Sequence, residues 1–380
     1  FSIIANYFFT KKLRLSKNKK LSLFLCITFN VFLLLIFKYL DFIILNINFI
    51  FNTNFAYLNL PFPLAISFIT FQTIAFIVNY YDNEIEKIKF IDYALFISFF
   101  PQLVAGPIVK YNFMVPQFNK ESNKIFNLDN FKIGLVILSI GLFKKVILAN
   151  NLGIFVDNSY ENVQNLDLIN AWLASVSFTL QIYYDFSGYV DMATGSALML
   201  NIILPINFNS PYKSKSIIEF WQRWHITLSD FLTNYIYMPL LKNLKKILFY
   251  KSMLVVLIVF LIAGLWHGPS WNFVIFGFLH GVGLIVNHIF RKYIKINISE
   301  ILSWILTFLY VNISFIFFRI QNFEEAITVC KKLIGLEHIN INSIMDNNFI
   351  IYFLISIIMC LFFSNSYTLI EKNILNKAKE

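Results

Sequence analysis

Apolar runs on the scale of a lipid bilayer recur along this sequence, near residues 21–51, 61–81, 131–149, 168–203, 252–266, 270–290, 298–320 and 347–370. A spanning helix needs about 20 mostly apolar residues, and no soluble core hides this many segments of that kind. Composition agrees: of 380 residues, 58% are hydrophobic and 14% charged, with 45 Phe, 19 Tyr and 6 Trp, against roughly 25% charged in ordinary soluble domains. The alternation and aromatic girdles of a β-barrel are missing, and no internal repeat is visible. The expected fold class is all-α, a polytopic membrane protein with one transmembrane domain over 1–380.

The formal charge of +10 could point to nucleic acid, anionic lipid or membrane topology. The basic residues favour topology, because they stand in short clusters between apolar runs: Lys11 to Lys20, Lys242 to Lys251, and Arg291 to Lys295. This is the pattern of cytoplasmic loops. If the last two clusters are cytoplasmic, the turn Trp266-His-Gly-Pro-Ser-Trp271 between them lies toward the opposite side, with Pro269 starting the next helix. The loop 321–346 is then outside and the Lys372, Lys377, Lys379 tail inside. No nucleic-acid partner is expected. Cys26, Cys330 and Cys360 lack metal-ligand or disulfide spacing and read as free thiols, and no cleaved signal peptide is expected.

Two apolar segments are interrupted, which at membrane depth is tolerated where backbone is buried in protein or lines a cavity. In residues 98–111, Pro101 and Gly106-Pro107 forbid a continuous helix, giving a re-entrant or broken segment. Residues 217–240 carry Ile217, Phe220, Trp221, Trp224, Leu228, Phe231, Leu232 and Tyr235 at helical spacing, opposite Glu219, Gln222, Arg223, Thr227, Asp230 and Asn234. The expectation is a two-faced helix, either interfacial or cavity-lining.

Of the five histidines, His338 and His288 read as solvated, and His280, between Gly277 and Gly281, as packed and hydrogen-bonded. His267 differs. It sits in a glycine-flanked turn between tryptophans, where an ionisable group at membrane depth points to function and neutral imidazole can take a proton from a hydroxyl. The bland alternative is a histidine that caps a broken helix by binding a backbone carbonyl. Gln181, Asp185 and Gly188 share one helix face, and Asp185 and Asp191 must pair or face water, with Arg223 or Arg319 as candidate partners. Phosphate-loop, dinucleotide, zinc-protease and nucleophile-elbow motifs are all missing.

The blocks PLAISFITFQ (63–72), FFPQLVAGPIVKY (99–111), GLFKKVILAN (141–150), YYDFSGYVDMATGSALML (183–200), FWQRWHITLSDFLTNYIYMPL (220–240), GLWHGPSWNFVIFGFLHG (264–281) and FFRIQNFEEA (317–326) carry a family resemblance. The chain resembles the membrane-bound O-acyltransferases, in the bacterial branch of alginate and peptidoglycan O-acetylation and teichoic-acid D-alanylation. The resemblance implies an irregular bundle with a central tunnel, and further N-terminal helices that this sequence does not show. It places the family's histidine at His267 and a second, branch-restricted one at His225. Residues read as supporting or lining the tunnel are His225, Arg223, Trp221, Trp224, Trp266, Asp185 and Gln181.

The activity implied by the resemblance is acyl transfer from a cytoplasmic thioester to a hydroxyl outside a bacterial inner membrane. Acetyl-CoA is the expected donor substrate, with a carrier-protein thioester also open, and no bound cofactor or metal is expected. The expected partners are a periplasmic acetyltransferase or the glycan acceptor itself, besides membrane lipid. Peptidoglycan leads as acceptor, an alginate-type exopolysaccharide comes second, and D-alanylation is third. A transporter or flippase for an acyl or glycan intermediate is the non-enzymatic alternative, though the inverted repeats that would favour it are not detected.

Overall fold

A computed structural model describes residues 1–336 and 347–370; His338, with the rest of 337–346 in the expected outer loop, and the lysine tail lie outside these. Among the described residues every regular element is helical. Short α1 (Ser2–Leu13) leads to α2, a 33-residue helix Lys19–Phe51 with a π-turn at Leu35–Tyr39. The buried amides of Asn6 and Asn30 join the two helices, bonding each other in both directions at 3.0 and 2.6 Å. An irregular strap then reaches α3 (Ile66–Tyr81), followed by α4 (Phe90–Ser98) and α5 (Tyr111–Asn119).

Helix α6 (Leu128–Leu142) runs through a π-turn at Phe143–Ala149 into α7 (Asn150–Glu161), and both lie on α8 (Leu168–Met199), the 32-residue helix at the centre of the bundle. At the α6–α8 crossing the backbones touch: a Cβ on Gly141 would stand 2.6 Å from the carbonyl oxygen of Gly188. Next come α9 (Ile217–Arg223), α10 (Ile226–Leu232), α11 (Phe249–His267), α12 (Trp271–Ile289), α13 (Glu300–Arg319), α14 (Phe323–Leu333) and α15 (Asn347–Phe362). The main core packs α8 against α7, α9, α12 and α13 through Leu152, Phe178, Tyr184, Phe220, Phe276 and Phe315.

Among the described residues, four helices are long and apolar enough to cross a membrane: Lys19–Phe51, Phe249–His267, Trp271–Ile294 and Glu300–Arg319. Phe24, Phe32, Phe49, Leu254 and Leu306 on them stay exposed, which in this setting presents them to lipid. The other apolar runs depart from simple spans. The run at 61–81 becomes helical only from Ile66, and both α3 and α15 have 16 residues, about 24 Å at the usual rise.

The interrupted segments are interrupted in the structure. In 98–111 the chain turns extended at Phe99, makes one helical turn at Phe100–Leu103 and becomes irregular at Gly106, where a Cβ would stand 2.4 Å from the Cα of Gln102. In 217–240 the structure corrects the sequence: there is no single two-faced helix, because the chain breaks between α9 and α10 with His225 at φ 43°, ψ 53°. The segment before α9 takes the hydrogen bonds of the break. The Asn207 carbonyl accepts from Ile226 N–H at 3.0 Å, and Asn209 N–H donates to the Arg223 carbonyl at 2.9 Å. A second correction concerns Pro269, which precedes α12; the helix is capped by Ser270, whose hydroxyl accepts from Asn272 N–H at 3.3 Å.

Candidate active site

A cavity of about 660 Å3 opens between the strap, α3, α8, the α9–α10 break and the α11–α12 turn. His267, His225, Trp266, Trp224 and Asp185 share its wall with Lys38, Lys145, Phe276 and Phe318. The structure therefore brings together five of the residues singled out from sequence. Three others stand apart. Trp221 donates from its indole to His280 Nδ1 at 3.2 Å, Arg223 faces Glu219 and the Asn209 carbonyl, and Gln181 packs against Gly153.

His267 is the last residue of α11, half-buried, with its imidazole edge-on to Phe318 at 5.1 Å and Phe276 at 5.7 Å between ring centres. Its ring nitrogens make no hydrogen bond to any described residue, so the imidazole is not spent on capping its own helix. The helix-end carbonyls go elsewhere: Tyr39 OH donates to Leu265 O, and Lys38 Nζ donates to Trp266 O and, at 3.2 Å, to His267 O.

His225 is held differently. Asn207 Oδ1 receives Thr227 N–H at 3.1 Å and Thr227 Oγ1 at 2.9 Å, and it lies 3.1 Å from His225 Nδ1. A backbone N–H can only donate, so Oδ1 is the acceptor and Nδ1 must carry its proton in the neutral ring. Nε2 is then the lone-pair nitrogen, and it is buried with no partner among the described residues, as is the indole N–H of Trp266. Unpaired buried polar atoms are costly, and here two of them, His225 Nε2 and Trp266 Nε1, belong to residues of the cavity wall. The left-handed backbone of His225 is a further cost of about 1–3 kcal/mol, of a kind that concentrates at functional sites. His280 is satisfied on both sides, by Trp221 and by Ser314 Oγ at 2.9 Å, and is a packed core residue.

The arginine partners expected for Asp185 and Asp191 are corrected to lysines, whereas the i,i+4 pair of Glu219 with Arg223 that the spacing allows is present. Asp185 pairs with Lys145, Asp191 with Lys144 at 2.6 Å, and Arg319 with Asp157 at 2.6 Å, while Arg223 takes Glu219 at 2.8 Å. The π-turn Phe143–Ala149 explains the change, because a wider turn lets the consecutive lysines both face α8. Lys144 and Asp191 are buried and also bond Ser366; Lys145 and Asp185 are about half exposed and face the cavity. The sequence reading missed Lys38, Lys145 and Asn207. The Lys144-Lys145 doublet inside an apolar run was the available signal for the second, and no local pattern marked the other two. No grouping of three or more metal-type ligands occurs among the described residues.

Residues 79–324 match the sequence model of the membrane-bound O-acyltransferase family. The chain is 44% identical over 373 residues to a peptidoglycan O-acetyltransferase of Helicobacter pylori, covering 90% of this chain and 70% of that protein. It is 35% identical over 295 residues to a probable alginate O-acetylase of Pseudomonas aeruginosa, covering 76% of this chain and 56% of that one. A teichoic acid D-alanyltransferase of Bacillus subtilis is 28% identical over 280 residues, 70% of this chain and 71% of that protein. On these matches the chain is a membrane protein and an O-acyltransferase, belonging to the membrane-bound O-acyltransferase family.

Proposed function

We propose that this enzyme is an O-acetyltransferase of the bacterial inner membrane. In this reading it moves acetyl from a cytoplasmic thioester, acetyl-CoA in the first instance, toward a cell-wall hydroxyl outside, with peptidoglycan as the acceptor polymer reached through a secreted partner. The observation that carries the reading is the unengaged imidazole of His267 on the wall of a cavity large enough for a thioester arm. The 44% identity to a peptidoglycan O-acetyltransferase favours acetyl and peptidoglycan over the alginate and D-alanyl alternatives.

A thioester reacts when its acceptor is held close, deprotonated, and given stabilisation for the developing oxyanion. His267 takes the proton of the acceptor hydroxyl, whose oxygen attacks the thioester carbon. The C–S bond breaks, and the thiolate leaves with the proton returned from the imidazolium. His225, neutral with its lone pair on Nε2, stands on the same wall as a second proton acceptor. The aromatic wall of Trp224, Trp266, Phe276 and Phe318 keeps bulk water from the thioester.

The test uses the full chain in proteoliposomes with labelled acetyl thioester. Losing a general base costs about 10²- to 10⁴-fold in rate, so His267→Ala is expected to abolish measurable acetyl transfer while extracting as folded protein. Near-parental transfer would refute the role, and uptake of intact thioester without cleavage would return the transporter reading.

A further inference from the structure

We infer that Lys38 is a positioning residue for acyl transfer, clamping the helix end that carries His267 and so leaving the imidazole free for the substrate. The inference rests on the reading of His267 as base.

The last carbonyls of an α-helix have no partner within the helix, and beside an apolar cavity they must find one. The histidine itself is the nearest donor, and although an imidazole donating one N–H to its own helix end would keep a basic second nitrogen, its ring would be turned back onto that end and its aim into the cavity set by that bond. Here that task falls to α2. Tyr39 OH takes Leu265 O, and Lys38 Nζ takes Trp266 O and His267 O, with Ser67 Oγ at 3.2 Å as its third partner. An ammonium has three N–H donors, so Lys38 is saturated and offers the cavity a fixed charge rather than a free hydrogen bond.

No carboxylate among the described residues pairs with Lys38. An ammonium at membrane depth is expensive; here it is offset by the negative end of the α11 dipole and by the Trp266 ring, 5.8 Å away. The π-turn Leu35–Tyr39 is what lets two consecutive side chains reach one row of carbonyls. On the far side of the turn the same helix grips again, with Asn46 Oδ1 accepting from the Trp271 indole at 2.9 Å and Phe42 against that ring at 5.8 Å. All of these α2 residues precede the family-matched segment 79–324.

The experiment is steady-state acetyl transfer by the reconstituted full chain carrying Lys38→Met, Lys38→Gln or Lys38→Arg. Misplacement of a reacting group by about 1 Å costs on the order of 10²-fold. The expectation for Met and Gln is therefore a kcat lower by about 10- to 100-fold, with KM for the thioester within about twofold of the parent. Lys38→Arg, which keeps charge and donors, should recover part of kcat. Parental kcat in both uncharged variants would overturn the proposal, as would an Arg variant no better than Met. Backbone hydrogen exchange at residues 265–268 tests the clamp without activity: Lys38→Met should speed it, and unchanged exchange counts against the proposal. Loss of transfer in the parent, or its survival in His267→Ala, would strike the His267 reading, and the exchange measurement would still decide the clamp.

Discussion

At the residue scale the site depends on one side-chain amide. Asn207 Oδ1 gathers the backbone and hydroxyl of Thr227 and the Nδ1 of His225, so a single acceptor fixes both the chain break and the tautomer. Asn207→Ala leaves these groups unpaired in a buried setting, at about 1–3 kcal/mol for an unsatisfied group. The expected outcome is a lower melting temperature together with lower transfer; an unchanged melting curve would show that the break holds without this residue. The place of His267 on the cavity wall is legible in sequence because its glycine-flanked turn is local. Asn207 was not, since nothing near it marks an asparagine that bonds residues 18 and 20 positions later. Lys38 was hidden for the same reason at longer range, 228 positions from Trp266.

At the element scale the interruptions were legible and their consequences were not. Pro101 and Gly106-Pro107 announce a break through local sterics, whereas the stripe from Ile217 to Tyr235 reads as one helix because hydrophobic spacing does not record a left-handed residue. The π-turn at Phe143–Ala149 was equally invisible, and with it the pairing of Lys144 and Lys145 to α8. The two pairs should behave differently. Lys144→Met strands Asp191 in a buried site, where breaking a pair costs about 3–5 kcal/mol, so little folded protein should survive detergent extraction. The double variant Lys144→Met with Asp191→Leu should recover much of it. Lys145→Met leaves Asp185 beside an open cavity and should extract nearly as well as the parent. Equal loss from the two single variants would contradict the assignment of one pair to the core and the other to the cavity.

For the whole molecule, charge placement predicts which end of the bundle faces which compartment. Cys330 invites labelling from outside, but it packs against the core and burial pushes its thiol up to about 11, leaving little reactive thiolate at neutral pH. Glu324 is exposed on the same helix, and Lys245 is exposed in the basic loop. Glu324→Cys in a chain without other cysteines should react with an impermeant reagent on intact spheroplasts, and Lys245→Cys only after lysis. The reverse pattern would invert the orientation. Helix α2 adds a mechanical consequence to this arrangement. Besides Lys38 and Tyr39 on the helix end, it holds the irregular strap that borders the cavity: Asp41 accepts from Leu58 and Asn59 N–H at 2.8 and 3.0 Å, and Asn48 Oδ1 from Phe55 N–H at 2.9 Å. A ligand that spreads the strap pulls on the same helix that holds the carbonyls of Trp266 and His267, so filling the cavity and orienting His267 become a single lever with its fulcrum at the π-turn.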